Sequence, residues 1–212
     1  MTALLPRTIP IFPLPNVVLF PNVVLPLHIF EPRYREMVSD ALRGDRVIGM
    51  VLLRPGWERD YEGRPPVYPI GCAGVITHAE RMADGRYNIA LRGMEKFRIA
   101  GEDHGRNYRV ATVETLTEEL TPRERTEIRE ERRRLEALLV PQPDGRGADT
   151  KVPPSMPDED LVNALAQYLE LEPVEKQALL ERTGVLDRCR SLIELLEMKV
   201  IVSRYNWEKT TN

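Results

Sequence analysis

Residues Ile9 to Tyr34 read IPIFPLPNVVLFPNVVLPLHIFEPRY, and the order of prolines and aliphatics in this stretch decides the fold. Two apolar runs, Ile9 to Phe12 and Val23 to Ile29, are separated by Pro13, Pro15 and Pro21. Proline cannot donate to a ladder, so the spacing predicts strand, turn-rich connection, strand, with the prolines at edges or between strands. Glu31-Pro32 then suits a helix start, because the fixed φ of proline fits the first turn. Tyr34, Met37, Val38, Ala41 and Leu42 recur at helical spacing until Gly44 ends the pattern.

Working outward, Val47 to Leu53 is apolar on both alternating faces, the pattern of a strand covered on both sides. Residues 54–69 carry prolines, glycines and the aromatics Trp57, Tyr61 and Tyr68 in no helix or strand period, so a long surface loop is expected. Loops of that length often bind, which makes Trp57, Tyr61 and Tyr68 the candidate binding residues. They contact a partner there, or the loop folds back and buries them. Cys72 to Glu80 and Arg86 to Arg92 flank Asp84-Gly85, a strong hairpin signal. A second turn is expected at Gly93, then strands at Lys96 to Ala100 and Tyr108 to Val113, separated by a polar turn at His104-Gly105.

From Glu118 the pattern becomes helical. Pro122 to Leu139 is dense in arginine and glutamate, with a narrow stripe at Ile128, Leu135, Leu138 and Leu139. It reads either as a solvated helix docked along one edge or as a charge-mixed helix awaiting a partner. Val140 to Pro157 reads as a mobile linker. Beyond it, Leu161, Leu165, Tyr168 and Leu169, then Val174, Ala178 and Leu179, then Leu192, Ile193, Leu196 and Val200 mark three helices of a bundle. The last of these is expected to pack within the bundle or to pair with a second copy.

Composition excludes several classes. An apolar fraction of 42% with 30% charged residues belongs to a globular chain, and a net charge of -3 argues against a dedicated nucleic-acid binder. Arg33, Arg35, Arg43, Arg46, Arg54, Arg59 and Arg64 crowd one region, but acidic neighbours cancel them, so a salt-bridged surface is expected. The two cysteines, Cys72 and Cys189, lie far apart and read as buried thiols, and no apolar segment has the length of a signal peptide or a bilayer span. A cytoplasmic protein without membrane attachment is expected.

Chemistry is also missing from the motifs. No glycine precedes a lysine as a phosphate-binding loop requires, and Ser39, Ser155, Ser191 and Ser203 include none in a Gly-x-Ser-x-Gly elbow. His28, His78 and His104 have no metal-ligand spacing and read as structural or solvated. No catalytic residue, metal or cofactor is expected.

Pro-Leu-Pro-Asn-Val-Val-Leu-Phe-Pro at 13–21 and Leu-Pro-Leu-His-Ile-Phe-Glu-Pro-Arg-Tyr at 25–34 resemble the signature of the N-terminal substrate-binding domain of Lon-type ATP-dependent proteases. Asn22 stands where that family usually has glycine, and asparagine tolerates the left-handed turn conformation. Gly-Cys-Ala-Gly-Val-Ile, the Asp84-Gly85 hairpin and Lys-Phe-Arg-Ile resemble later family motifs, so the resemblance covers nearly the whole chain. It implies an α+β fold: a PUA-like β-barrel lobe with one early helix at 1–117, then a C-terminal helical bundle at 118–212 with a flexible linker at 140–157. It further implies a stand-alone recognition module, without ATPase or peptidase domains. Such a module would bind unfolded or partly folded polypeptides, or a protease or chaperone partner, through apolar β-lobe surface or a groove between lobes. An adaptor in protein quality control fits this, and RNA binding by the PUA-like lobe and ATP-independent peptidase activity are the alternatives. Oligomeric state is not legible.

Overall fold

The computed structural model describes residues 5–60, 63–139 and 155–210, with side chains as far as residue 201. In chain order it contains β1 (Thr8–Leu14), β2 (Val24–Ile29), α1 (Pro32–Arg43), β3 (Val47–Leu52), a 3-10 turn (Trp57–Asp60), β4 (Ile70–Arg81), β5 (Tyr87–Asp103) and β6 (Arg109–Leu116). Four helices follow: α2 (Pro122–Leu139), α3 (Asp158–Tyr168), α4 (Pro173–Leu180) and α5 (Val185–Thr210). The fold is α+β, and no helix among the described residues is long and apolar enough to cross a membrane. By contact the chain divides into Met1–Thr117 with Gln167–Glu181, and Glu118–Ala166 with Arg182–Asn212.

The first unit is a six-stranded sheet in the order β2-β5-β4-β3-β1-β6, in which β5 also pairs with β6. Pairing thus runs round β1, β3, β4, β5 and β6, while β2 has β5 as its one strand neighbour among the described residues. Ile9, Ile11, Val47, Val51, Ala73, Phe97, Ala111 and Val113 fill the interior.

Two expectations about prolines and glycines are corrected. Pro13 lies inside β1 rather than between strands, in the same strand as Pro10. This works because β1 changes partners at Ile11: residues 8–11 pair antiparallel with β6, and residues 11–14 pair parallel with β3. The Val113 N–H donates to the Arg7 carbonyl at 2.9 Å, so by alternation Pro10 turns its donorless nitrogen away from β6, where no strand lies beside that half. Likewise the Leu53 N–H donates to the Leu14 carbonyl at 3.0 Å, which turns Pro13 away from β3 and past the end of the β6 pairing.

Gly93 makes no turn; β5 runs through it from Tyr87 to Asp103. The glycine is needed for close approach instead. Its N–H donates to Val23 O at 2.8 Å, its carbonyl accepts from Asn22 N–H at 3.0 Å, and a Cβ there would sit 2.0 Å from Phe20 O. Asn22 itself has φ 63°, the left-handed turn expected of it.

Helix α1 begins at Pro32 behind an extended Glu31, ends at Gly44, and buries Tyr34, Met37, Val38 and Ala41, while Leu42 is half-buried. It is held to the turn between β5 and β6 by Asp40, whose Oδ2 accepts from Tyr108 Oη at 2.7 Å and Arg106 Nη1 at 2.9 Å, with Arg43 on its other oxygen. The Tyr108 hydrogen bond, followed by the two arginines, holds the Asp40 carboxyl below its ordinary range. Burial, then the same hydrogen bond, pushes the Tyr108 hydroxyl up to about 12.

Residues 167–181, read from sequence as part of the helical lobe, cluster with the sheet unit. The cause is polar. Gln167 Oε1 accepts from the buried Phe20 N–H at 3.2 Å, Gln177 Nε2 donates to Ile70 O at 2.9 Å, and Tyr168 Oη donates to Val24 O at 2.8 Å. Each bond satisfies a main-chain group of the sheet unit.

In the second unit, α2 buries Ile128, Leu135 and Leu139, α3 contributes Leu161, Val162 and Leu165, and α5 contributes Val185, Leu186, Leu192 and Ile193. Arg188 is fully buried and donates to Asn163 Oδ1 at 2.8 Å and Glu118 Oε1 at 2.6 Å. Several charges of α2 are partnered across helices: Glu127 with Arg190 at 2.7 Å, Arg134 with Glu197 at 2.6 Å, and Arg132 with Asp158 at 2.8 Å. Its dense charge therefore ties helices together. Along α5, Met198, Val200 and Ile201 are exposed. Both cysteines are free and buried, with burial raising the Cys189 thiol to about 12. Of the linker expected at 140–157, residues 140–154 lie outside the described residues.

Two outcomes follow. Gly93→Ala should lower stability by about 1–3 kcal/mol in urea unfolding, the cost typical of an overpacked core site, whereas Gly101→Ala, whose Cβ would meet nothing within 4 Å, should leave the midpoint in place. Tyr108→Phe should cost about 1 kcal/mol at pH 7. A carboxyl with a depressed folded pKa stabilises above its unfolded value, here 3.8, and loses that stability as pH falls through the folded value. The gap between wild type and Tyr108→Phe should therefore persist at neutral pH and shrink in unfolding measured near pH 3.

Candidate functional site

The base of the loop between β3 and β4 is more regular than its composition suggests. Its base is zipped by the Leu53–Val67 bridge, by Arg54 N–H to Pro66 O at 2.9 Å and by Tyr68 N–H to Leu52 O at 2.9 Å. Trp57 opens the 3-10 turn and is half-buried. Tyr68 is half-buried too, with the Arg54 guanidinium 5.5 Å over its ring. Tyr61 lies outside the described residues. Under the loop is a cavity of about 250 Å³, walled by Pro13, Tyr34, Leu53, Arg33, Arg64 and Arg109. Neither Trp57 nor Tyr68 lines it.

The cations of that cavity are committed. Arg109 grips Glu102 with Nε at 2.9 Å and Nη2 at 2.5 Å and gives Nη1 to Pro65 O at 2.7 Å. Arg64 donates to the carbonyls of Asp103 and Arg106, and Arg33 pairs with Glu31 at 3.1 Å while stacking over Tyr34 at 4.7 Å. The expectation of a salt-bridged arginine surface is partly corrected, and Arg59 has no ion pair among the described residues. Arg33, Arg43 and Arg64 meet carboxylates, but Arg35, Arg46 and Arg54 donate to the carbonyls of Asp84, Ile76 and Val67. Carbonyls in turns, isolated bridges and irregular strand positions are invisible to charge counting.

A different surface is open. The donation from Gly93 N–H to Val23 O sets the alternation along β2, so Leu25, Leu27 and Ile29 face β5 with their main-chain groups, and Val24, Pro26 and His28 turn theirs outward. Pro26, which has no N–H, thus sits where it costs no bond to β5. The side chains alternate on the same period. Leu25 and Leu27 are half-buried and Ile29 is buried, while Val24, Pro26, His28 and Phe30 are exposed, Val24 at 45% and Phe30 at 61%. Tyr168, 65% exposed, closes one end by capping Val24 O. His28 bonds Asn88 at 2.7 Å and stacks against Phe30 with centroids 6.3 Å apart. His78 and His104 are exposed. Reasoning from sequence left this stripe out because hydrophobic alternation reports which residues can be buried, not which edge lacks a neighbour.

The chain matches the family model described as "ATP-dependent protease La (LON) substrate-binding domain" over residues 8–198. Lon protease 2 of Myxococcus xanthus is 30% identical over 200 residues, covering 92% of this chain and 24% of that protein. Lon protease 2 of Syntrophobacter fumaroxidans is 30% identical over 183 residues, covering 84% of this chain and 22% of its own. The chain therefore spans about a quarter of the length of the curated relatives it matches. Among solved structures, the N-terminal domain of the Mycobacterium avium complex Lon protease superposes with a TM-score of 0.63 at 20% identity, over 90% of this chain and 98% of that one. The Lon N-terminal domain protein from Xanthomonas campestris gives 0.59 at 23% identity, over 88% and 97%. The likeness to these two structures is one of fold. With the family model spanning nearly the whole chain, this protein belongs to the family of the Lon protease substrate-binding domain.

Proposed function

We propose that this chain is a polypeptide-recognition module that holds unfolded or partly folded segments without performing chemistry on them, in the manner of an adaptor for protein quality control. The observation that carries the reading is the exposed stripe Val24, Pro26 and Phe30 along β2, in a member of a substrate-binding family. A contiguous exposed apolar stripe has a reason to be there when a partner covers it. Segments that have lost their fold offer the matching chemistry, which is apolar side chains on an extended chain. The loop bearing Trp57, Tyr61 and Tyr68 is the second proposed contact, of smaller weight because Trp57 and Tyr68 are half-buried. RNA binding is disfavoured, since the arginines of the cavity and of α1 are engaged by carboxylates and carbonyls and release few counterions.

Calorimetric titration with reduced, carboxymethylated lysozyme tests this. Saturable binding is expected, and Phe30→Ser should weaken it about tenfold, the loss typical of an exposed aromatic anchor. Circular dichroism should be unchanged, because Phe30 is exposed. Trp57→Ala should weaken binding about twofold or less. A larger loss for Trp57→Ala than for Phe30→Ser would move the contact to the loop. No heat and no retention on the immobilised polypeptide would end the reading.

A further inference from the structure

We infer that the bound segment is taken up as an added β-strand along Pro26–Phe30, held by main-chain hydrogen bonds to β2 with the exposed stripe reading its side chains. This rests on the polypeptide-recognition reading above and specifies how that site works. The strand order ends at β2, and the main-chain groups of Val24, Pro26 and His28 that point away from β5 face no strand. Among the described residues, the one bond made to this outer edge is from Tyr168 Oη to Val24 O at 2.8 Å. An unpaired strand edge is a template for another strand, and proteins that do not use one usually cover it, shorten it or block it with charge or proline; on β2 proline blocks one donor, at Pro26, and the edge is open beyond it. Here neither Val24, Pro26 nor Phe30 carries a charge, and His28 is turned to Asn88.

Pro26 and Tyr168 set the extent of the pairing. Tyr168 occupies the Val24 carbonyl, and Pro26 offers an acceptor but no donor, so the continuous donor–acceptor window is Pro26 O, His28 N–H and His28 O, continued towards Phe30. That spans about 13–17 Å at the rise of a strand and admits a guest of about four or five residues. So short a ladder favours rapid release, and the missing donor keeps two copies of β2 from zipping together along their length. Charge narrows the guest further. Arg92 lies directly across from Val24 on the same face, is exposed, and has no ion pair among the described residues, whereas Arg86 beside His28 is matched by Asp84 at 2.6 Å. The guest is therefore an extended apolar segment carrying an acidic residue at the end that meets Arg92.

The test uses the full chain and the acetylated, amidated heptapeptide Asp-Val-Thr-Val-Thr-Val-Thr as probe. Two further versions are N-methylated at the odd or at the even residues. In a strand, alternate amides point to opposite sides, so pairing uses one set and leaves the other in solvent. One methylated version should bind at least tenfold more weakly than the parent and the other within threefold, and the His28 amide should exchange more slowly with the parent bound. Equal effects of the two methylations, or an unprotected His28 amide, would overturn strand addition. If carboxymethylated lysozyme binds and the parent heptapeptide does not, strand addition fails while polypeptide recognition stands. If neither binds, both fail. A concentration-dependent dimer in sedimentation, dissolved by Phe30→Ser, would replace the guest by a second copy and equally overturn the proposal.

Discussion

A proline inside a strand deletes one ladder donor, and the first thirty residues of this chain are arranged around where those deletions fall. Pro10 and Pro13 sit in β1 at positions whose missing donors point to sides without a partner, because β1 leaves β6 and joins β3 at Ile11. That exchange lets one strand connect two neighbours and curls the sheet. Pro26 repeats the device on β2, facing outward and leaving the pairing with β5 intact. Pro32 then starts α1, where no donor is required. Prolines that would break an ordinary sheet here decide which strands meet and where the sheet ends.

What closes around this frame is as much polar as apolar. Phe97 lies over Gly49 and Gly71, and the glycine at 93 lets β5 pass against Phe20 without a turn. Yet the attachment of residues 167–181 to the sheet unit depends on Gln167, Tyr168 and Gln177 reaching main-chain groups, and the helices of the second unit are joined by Arg188 and by the ion pairs of α2 with α5. A buried arginine stabilises only while both partners remain, since the alternative is an uncompensated charge in the interior. Part of the charge of this chain is thus used in joining its helices to one another.

The same distinction separates the two candidate surfaces. The arginines around the cavity under the β3–β4 loop hold the loop and the turn before β6 in place, so their charge is already used. The β2 edge has its apolar side chains and its main-chain acceptors turned outward together. Recognition of many unrelated segments needs contacts common to all of them, and main-chain bonds with adaptable apolar packing are of that kind. Charge pairs would select among guests.

Much of the architecture is set by local rules that the residues carry with them. Glu31-Pro32 through Gly44 as a helix, Asp84-Gly85 as a hairpin turn, the left-handed Asn22 and the wholly buried Val47 to Leu52 are all read correctly from neighbours a few positions away, because capping, turn chemistry and periodicity are local. Trp57 and Tyr68 were legible as loop aromatics, but the placing of Tyr68 depends on Leu52 and Arg54, which meet its N–H and its ring. Only the tertiary structure decided that Gly93 is a crossing point and not a turn, that Pro13 belongs to a strand, that Gln177 joins its helix to Ile70, and that β2 has one neighbour rather than two. Each of these is a contact between residues distant in sequence, and a chain read in one dimension shows which faces can be buried but not which partner arrives to bury them.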